Sequence, residues 1–287
     1  MERLQLKQML THFFTEDIGF GDVSADAIFG DKEGTALIIA KQSGVLAGSQ
    51  LIDTGYRLLN EQIQTELFFQ EGDWIDSGAV LAKIKGPVND LLKGERVILN
   101  LLQRMTGIAT LTHQAVQRLD DPSITICDTR KTTPGLRMLE KYAVKTGGGK
   151  NHRFGLSDGV MIKDNHIAAC GSIREAVEKA RAYAGHMVKI EVEIESETQL
   201  MEAIEAKADV IMFDNCSPDE VKRFKQMTPA SILTEASGGI TLETLPSYRG
   251  TGVDLISLGF LTHSAPAFDF SMNMEISHKG GTTHVHA

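Results

Sequence analysis

From residue 124 onward the sequence alternates short apolar runs with amphipathic stretches, and this rhythm limits the possible folds more than any other feature. The runs are 124–130, 159–164, 187–194, 208–215, 231–238 and 253–259. Between the later ones lie 172–184, 196–206, 217–227 and 241–248. Each of those stretches opens on a Ser or Thr, whose hydroxyl can accept a hydrogen bond from a first-turn N–H. Parallel strands need a long crossover, and a helix supplies it, so the alternation predicts a parallel sheet covered by helices. An incomplete or small α/β barrel is the first expectation and an open doubly wound sheet the second. No GxGxxG follows the first run, which weakens a dinucleotide-binding version.

The residues before 124 read differently. Leu4, Met9, Leu10, Phe13 and Phe14 recur at helical spacing, so the first helix packs one face. Gly19 and Gly21 break it. Strands are expected at 35–40, 66–69 and 79–84, with a helix at 49–59. A long helix follows over 90–119, interrupted by Gly107. The first hundred or so residues thus form an α+β unit with mixed strands, ahead of the strand–helix alternation. Residues 265–287 are expected to pack back on the first domain. The last ten, HKGGTTHVHA, read as a polar, glycine-rich tail outside the folded part, and no metal role is assigned to its histidines.

Charge and cysteine content narrow the function. A formal charge of −9 and a pI near 5.5 argue against general nucleic-acid binding, which needs a broad basic surface. No run of about 18 apolar residues predicts a membrane span. The N-terminus has no basic segment followed by an apolar one, so it does not read as a signal peptide. Cys127, Cys170 and Cys216 are odd in number and lack CxxC spacing. That fits buried thiols in a reducing compartment, hence a cytoplasmic protein. Against this acidic background, residues 127–166 carry eight Lys/Arg and four Asp/Glu. A basic island of this kind suits a small anion.

In either α/β architecture, ligands bind at the carboxyl ends of the strands. Those ends supply Arg130 and Lys131, then Lys163, Asp164 and Asn165. Next come Glu191 and Glu193 on one face, Asp214 and Asn215, Glu235 through Gly239, and Gly259. Arg130, Lys131, His152, Arg153 and Lys163 form a cationic set suited to carboxylates or phosphates. Glu193 and Asp214 offer hard oxygen ligands for Mg²⁺ shared with a phosphorylated substrate, or partners for nearby cations in an internal ion-pair network. Ser237-Gly238-Gly239 ahead of a helix start can bring backbone N–H groups to a phosphate, with Gly259 completing the cradle. No nucleophile–base pair is evident. The pattern is that of a small-molecule enzyme acting by position and charge.

Seven segments occur in a telling order: EDIGFGDVS, ERVILNLLQRMTGIAT, DTRKTTPGLRMLEKYAVKTGGGKNHRFGLSDGVMIKDNH, EVEIES, FDN, EASGG and SLGFLTHS. Together they resemble the quinolinate phosphoribosyltransferase family over nearly the whole chain. Met105-Thr106-Gly107 departs from the family's more usual Leu-Ser-Gly. The resemblance implies two domains, an N-terminal α/β sandwich over 1–118 and an incomplete α/β barrel over 119–264, and phosphoribosyl transfer from phosphoribosyl pyrophosphate to quinolinate, giving nicotinate mononucleotide, pyrophosphate and CO₂. It implies that Arg130, His152, Arg153 and Lys163 bind the quinolinate carboxylates. Arg96 would join them from the other subunit of a homodimer or higher assembly such as a hexamer. Lys131, Glu193 and Asp214 would serve the pyrophosphate, ribose and Mg²⁺, and Ser237, Gly238 and Gly259 the 5-phosphate. Thr129, Gly239 and His263 complete the substrate-binding set it implies. Lys131, Lys163, Glu193 and Asp214 are the residues it marks as catalytic. The alternatives are a homologue with another acceptor and a non-catalytic binding protein on the same scaffold.

Overall fold

The computed structural model describes residues 1–278 and 281–286, with side chains as far as Glu275. The chain divides into two compact units. One comprises Met1–Leu111, Met138–Gly147 and Ala265–Ala287, and the other Thr112–Arg137 and Gly148–Ser264.

The chain begins with α1 (Arg3–Ile18), α2 (Val23–Ile28), β1 (Glu33–Ala40), β2 (Gly44–Val45) and α3 (Ser49–Leu59). Then come β3 (Gln64–Leu67), β4 (Trp74–Ile75), β5 (Val80–Pro87) and α4 (Val88–Leu119), whose last turns belong to the second unit. Helix α1 buries Leu6, Leu10 and Phe14, a single i, i+4, i+8 stripe. Leu10 and Phe14 are packed as expected, but Leu4 is 65% exposed and Leu6 takes its place in the stripe. Helix α2 was not expected, although its cap is local. The Asp22 carboxylate accepts from the backbone N–H groups of Ser24 and Ala25. Helix α4 passes through Gly107 without interruption. The glycine is there for packing, since a Cβ would lie 2.1 Å from the Pro266 carbonyl oxygen.

The second unit contributes β6 (Thr125–Cys127), and α5 (Arg137–Thr146) follows, lying almost wholly in the first unit. Next are β7 (Val160–Ile162), α6 (Asp164–Cys170), α7 (Ile173–Tyr183), β8 (Ile190–Ile194), α8 (Glu197–Glu205), β9 (Val210–Asp214), α9 (Pro218–Met227) and β10 (Leu233–Ser237). A 3₁₀ turn at Leu245–Tyr248 stands where a full helix over 241–248 was expected. The unit ends with β11 (Leu255–Ser257) and α10 (Phe260–His263). Ser172, Ser196 and Ser217 cap α7, α8 and α9 as predicted, each hydroxyl accepting a backbone N–H three residues on. Strands β12 (Phe270–His278) and β13 (Gly281–His286) return to the first unit.

The first unit's main sheet runs β13-β12-β1-β5-β3, and every pairing in it is antiparallel, so the mixed sheet expected from the sequence is not found. Ala36, Ile38 and Ala40 alternate into its core. The polar tail does not stand apart either, because Gly281–His286 pairs with β12. Lys279, Gly280 and Ala287 lie outside the described residues.

The second unit's sheet is parallel throughout, in the order β6-β11-β10-β9-β8-β7. Read from β7 this is the chain order 7-8-9-10-11 followed by 6. A doubly wound sheet reverses direction at a switch point. A cyclic order without reversal is that of a barrel with one open seam, here between β6 and β7. At the seam, Lys150 bridges to Cys127 and takes the free edge of β6.

Candidate functional site

Strand parity decides which side chains meet inside the barrel. Ile190, Val192 and Ile194 on β8, with Ile211 and Phe213 on β9, are fully buried, while Glu191, Glu193, Met212 and Asp214 have the opposite parity. The register puts Glu193 beside Met212, Met212 beside Glu235, and Asp214 beside Ser237. These residues line a cavity of about 510 Å³ together with Thr129, Arg130, Lys131, His152, Arg153, Met161, Lys163, Asn215, Gly238, Gly239 and Ser257. A second cavity of about 430 Å³ shares Thr129, Lys131, Ser237, Gly238, Gly239 and Ser257 with the first, and adds Gly259 and His263 to its wall. All of these residues belong to the second unit.

The structure thus brings together every sequence-predicted site residue except Arg96. Arg96 lies on α4 in the first unit, its side chain 62% exposed, and ion-pairs with the neighbouring Glu95.

The cations differ in what holds them. Arg153 donates to the Gly159 carbonyl at 2.8 Å, which ties it to the start of β7. Burial, and then the neighbouring Arg130, push its guanidinium below the usual arginine range. Two guanidinium groups close enough to repel are what a bound dianion would relieve. The Nε of Arg130 is buried without a hydrogen-bond partner. Lys163 pairs with Glu193 across the mouth of the barrel. Lys131 is exposed, and its carbonyl accepts the Thr262 hydroxyl at 2.8 Å, which fixes the backbone below it.

His152 is engaged on both ring nitrogens. Its Nδ1 accepts the Arg153 backbone N–H at 2.8 Å, and its Nε2 lies 3.0 Å from Glu191 Oε2 and 3.7 Å from Glu235 Oε2. Its own backbone N–H donates to Asp128 Oδ1 at 2.9 Å, and Asn151 donates to the same carboxylate. Asp128 is fully buried and so pins the Asn151–Arg153 turn to the end of β6. Burial, and next the Glu191 charge, raise Glu235 to about 7. Neither Asp128 nor Glu235 was singled out from the sequence as functional. Their only signal was the parity and position that each shares with the residues that were.

One glycine is fixed by close approach and a second is crowded by side chains. At Gly238 φ is +85°, and a Cβ would sit 2.3 Å from Asn215 Oδ1. At Gly259 a Cβ would meet Lys131 Cδ at 3.0 Å and His263 Nε2 at 3.3 Å. A glycine-lined wall with exposed backbone and a nearby lysine is a phosphate-type surface. Glu193 and Asp214 each have one oxygen engaged, by Lys163 and by Asn215 Nδ2. Two carboxylates and an adjacent amide at a cavity wall are a hard-oxygen donor set, and they fit Mg²⁺ shared with substrate oxygens. Burial pushes the Cys216 thiol up to about 11, which makes that residue a poor nucleophile.

Comparison with known proteins gives a consistent set of matches. A family profile for the quinolinate phosphoribosyl transferase C-terminal domain matches residues 108–273, and one for the N-terminal domain matches 22–106. The probable nicotinate-nucleotide pyrophosphorylase [carboxylating] of Bacillus subtilis (strain 168) is 62% identical over 279 residues, covering 97% of this chain and 96% of the relative. The Homo sapiens nicotinate-nucleotide pyrophosphorylase [carboxylating] is 42% identical, covering 83% of this chain and 82% of its own length. Among solved structures, NadC from Streptococcus pyogenes superposes with a TM-score of 0.93 at 41% identity, covering 99% of both chains. The Francisella tularensis nicotinate-nucleotide pyrophosphorylase gives 0.91 at 34% identity, covering 96% of this chain and 97% of that one.

Proposed function

The chain belongs to the quinolinate phosphoribosyltransferase family, and from that premise we infer how its strand ends carry the family's reaction. The enzyme transfers the phosphoribosyl group of phosphoribosyl pyrophosphate to quinolinate with loss of CO₂, giving nicotinate mononucleotide and pyrophosphate for NAD biosynthesis. The observation that carries the assignment of parts is the wall shared by the two cavities. One cavity is rich in backbone and glycine, the other in paired cations, and Thr129, Lys131 and Ser237–Gly239 belong to both. A phosphorylated donor and a dicarboxylate acceptor need two such compartments with a reacting centre between them.

In this reading Ser237, Gly238, Gly239, Gly259, Thr129 and His263 hold the 5-phosphate. Arg130, Arg153 and Lys163 meet the quinolinate carboxylates. Glu193 and Asp214 hold Mg²⁺, which when bound neutralises charge on the departing pyrophosphate. Lys131 sits at the shared wall and offers that leaving group a cation from the protein itself. As the bond to pyrophosphate weakens, positive charge grows on the ribose ring, and the Glu193 and Asp214 carboxylates lie in the cavity to balance it. The pyridine nitrogen attacks the ribose carbon. Once quaternised, the positively charged nitrogen stabilises the electron pair that departing CO₂ leaves on the adjacent ring carbon, and a proton then takes the carboxylate's place on that carbon. The protein orients the ring and balances charge, and it forms no covalent bond to substrate.

We assign Arg96 to the acceptor site of a neighbouring copy in a homodimer. The support is its exposure in the unit that does not line the cavity, along with exposed Phe20, Val23 and Ile28 in the same unit. The three free thiols support a reducing, cytoplasmic setting, and no helix among the described residues is long and apolar enough to cross a membrane. Two measurements test the reading. Purified enzyme with phosphoribosyl pyrophosphate and Mg²⁺ should turn over quinolinate and not nicotinate, and a chelator should stop it. Equal turnover of nicotinate would reassign the acceptor. Mixing inactive Arg96→Ala with inactive Lys163→Ala chains should restore roughly one quarter of wild-type activity, since half the dimers are mixed and each has one intact site. No recovery after subunit exchange would place Arg96 outside the neighbour's site.

A further inference from the structure

We propose that Glu191 clamps His152 as a neutral imidazole with its proton on Nε2, so that His152 meets the acceptor substrate with ring carbons and not with a hydrogen-bonding nitrogen. This deepens the quinolinate reading and rests on it. The charge of the two acceptor carboxylates then falls to Arg130, Arg153 and Lys163.

The bond at Nδ1 sets the tautomer. A backbone N–H can only donate, so the Nδ1 that accepts from Arg153 at 2.8 Å carries no proton. The ring's proton is therefore on Nε2, facing Glu191 Oε2 at 3.0 Å. The ring cannot easily turn away. Its backbone N–H is tied to Asp128, which is fully buried at the end of β6. Turning would also strip Glu191 of its partner. Glu191 is 6% exposed and its other oxygen, Oε1, already lacks one, so a rotated His152 would leave a buried carboxylate with both oxygens bare. Glu235, 1% exposed, closes the far side at 3.7 Å.

His152 nevertheless lines the cavity, with its side chain 14% exposed. With both nitrogens engaged, what it shows the cavity is carbon. A planar carbon surface fixed by three carboxylates, from β6, β8 and β10, suits the face or edge of a planar heteroaromatic acid. Glu191 and Glu235 are then positioning residues. They make no contact with substrate and act by holding the ring.

The direct test is the tautomer. In long-range ¹H–¹⁵N spectra of the histidine-labelled enzyme, His152 should show a protonated Nε2 and a bare Nδ1 from about pH 6 to pH 8, unchanged on adding quinolinate. Glu191→Gln keeps an oxygen acceptor and should keep that tautomer. Glu191→Leu should lose it and raise KM for quinolinate roughly ten- to a hundred-fold, with KM for phosphoribosyl pyrophosphate within about twofold. A protonated Nδ1 in the wild-type enzyme, free or with quinolinate, overturns the proposal. So does a folded Glu191→Leu chain with unchanged kinetics. The wild-type spectrum needs no variant and no turnover. An enzyme that made no nicotinate mononucleotide would thus remove the acceptor assignment while the tautomer result stood on its own.

Discussion

The two units differ in how they bury polar groups, the first leaving only Asn89 Oδ1 and Ser271 Oγ without partners among the described residues. In the first, Glu140 is fully buried on α5 and takes two Arg104 donors on one oxygen at 2.9 and 3.1 Å. Glu71 likewise gathers Gly48 N–H and the Ser49 hydroxyl at the start of α3. In the second, Arg130 Nε and Glu191 Oε1 are buried without partners, and Glu235 Oε1 and Ser257 Oγ have at most a loose contact with each other. These four atoms all lie on the barrel cavity wall or directly behind it. A scaffold satisfies its buried polar groups, whereas a site leaves some for its ligand. The antiparallel sheet is thus read as scaffold and the mouth of the parallel sheet as the place of reaction.

That contrast can be broken most sharply at Lys163. Lys163→Ala should lower kcat/KM on the order of 10³-fold while moving the melting temperature little, because it removes charge at a site and leaves the core packed. A large fall in melting temperature would show the Lys163–Glu193 pair to be structural. The mirror experiment is Glu140→Ala in the first unit. It removes the buried carboxylate that pairs with Arg104 and should cost about 3 kcal/mol of stability in denaturant unfolding, with kcat of the surviving folded enzyme near wild type.

Glu235 sharpens the comparison through pH. Its folded value, about 7, lies above the ordinary 4.5, so the folded state holds that proton more tightly than the unfolded chain does. Its contribution to stability is therefore full below about pH 4.5 and is lost as pH rises through about 7. Glu235→Gln should consequently gain stability relative to wild type between pH 5 and pH 8, by at most about 3 kcal/mol. A difference that stays flat over that range would mean Glu235 is ionised throughout. The smallest effect is expected at Gly238, where φ is +85° and Asn215 leaves no room for a Cβ. Gly238→Ala should cost about 1–2 kcal/mol and raise KM for phosphoribosyl pyrophosphate without raising that for quinolinate. Equal effects on both substrates would undo the division into two compartments.

Much of this is legible in the sequence, and unevenly so. The barrel was readable because strand–helix alternation and Ser caps at 172, 196 and 217 are local signals repeated several times. The strand ends followed from it, since a parallel barrel gathers all of them at one mouth. Sequence alone could not choose between barrel and open sheet, because strand order is a property of pairings distant in the chain. The helical face of α1 was only partly legible: Leu10 and Phe14 are buried as expected, but Leu4, two residues before Leu6, lies on the opposite side of the helix. Gly107 was read as a break because a glycine demanded by Pro266, far along the chain, looks the same as one that ends a helix. Asp128 and Glu235 were missed as supports of His152 because a buried carboxylate's partner is set by tertiary contact. Arg96 has no local mark of function at all, and only the family resemblance raised it.

The most direct test of the account uses quinolinate labelled in the carboxylate next to the ring nitrogen, with phosphoribosyl pyrophosphate and Mg²⁺. Labelled CO₂ and nicotinate mononucleotide should appear in equal amounts, and both should disappear in a Lys163→Ala chain that melts like wild type. If no nicotinate mononucleotide forms, or if that variant retains near-normal kcat/KM, then the reaction is not carried by the strand ends of the second unit.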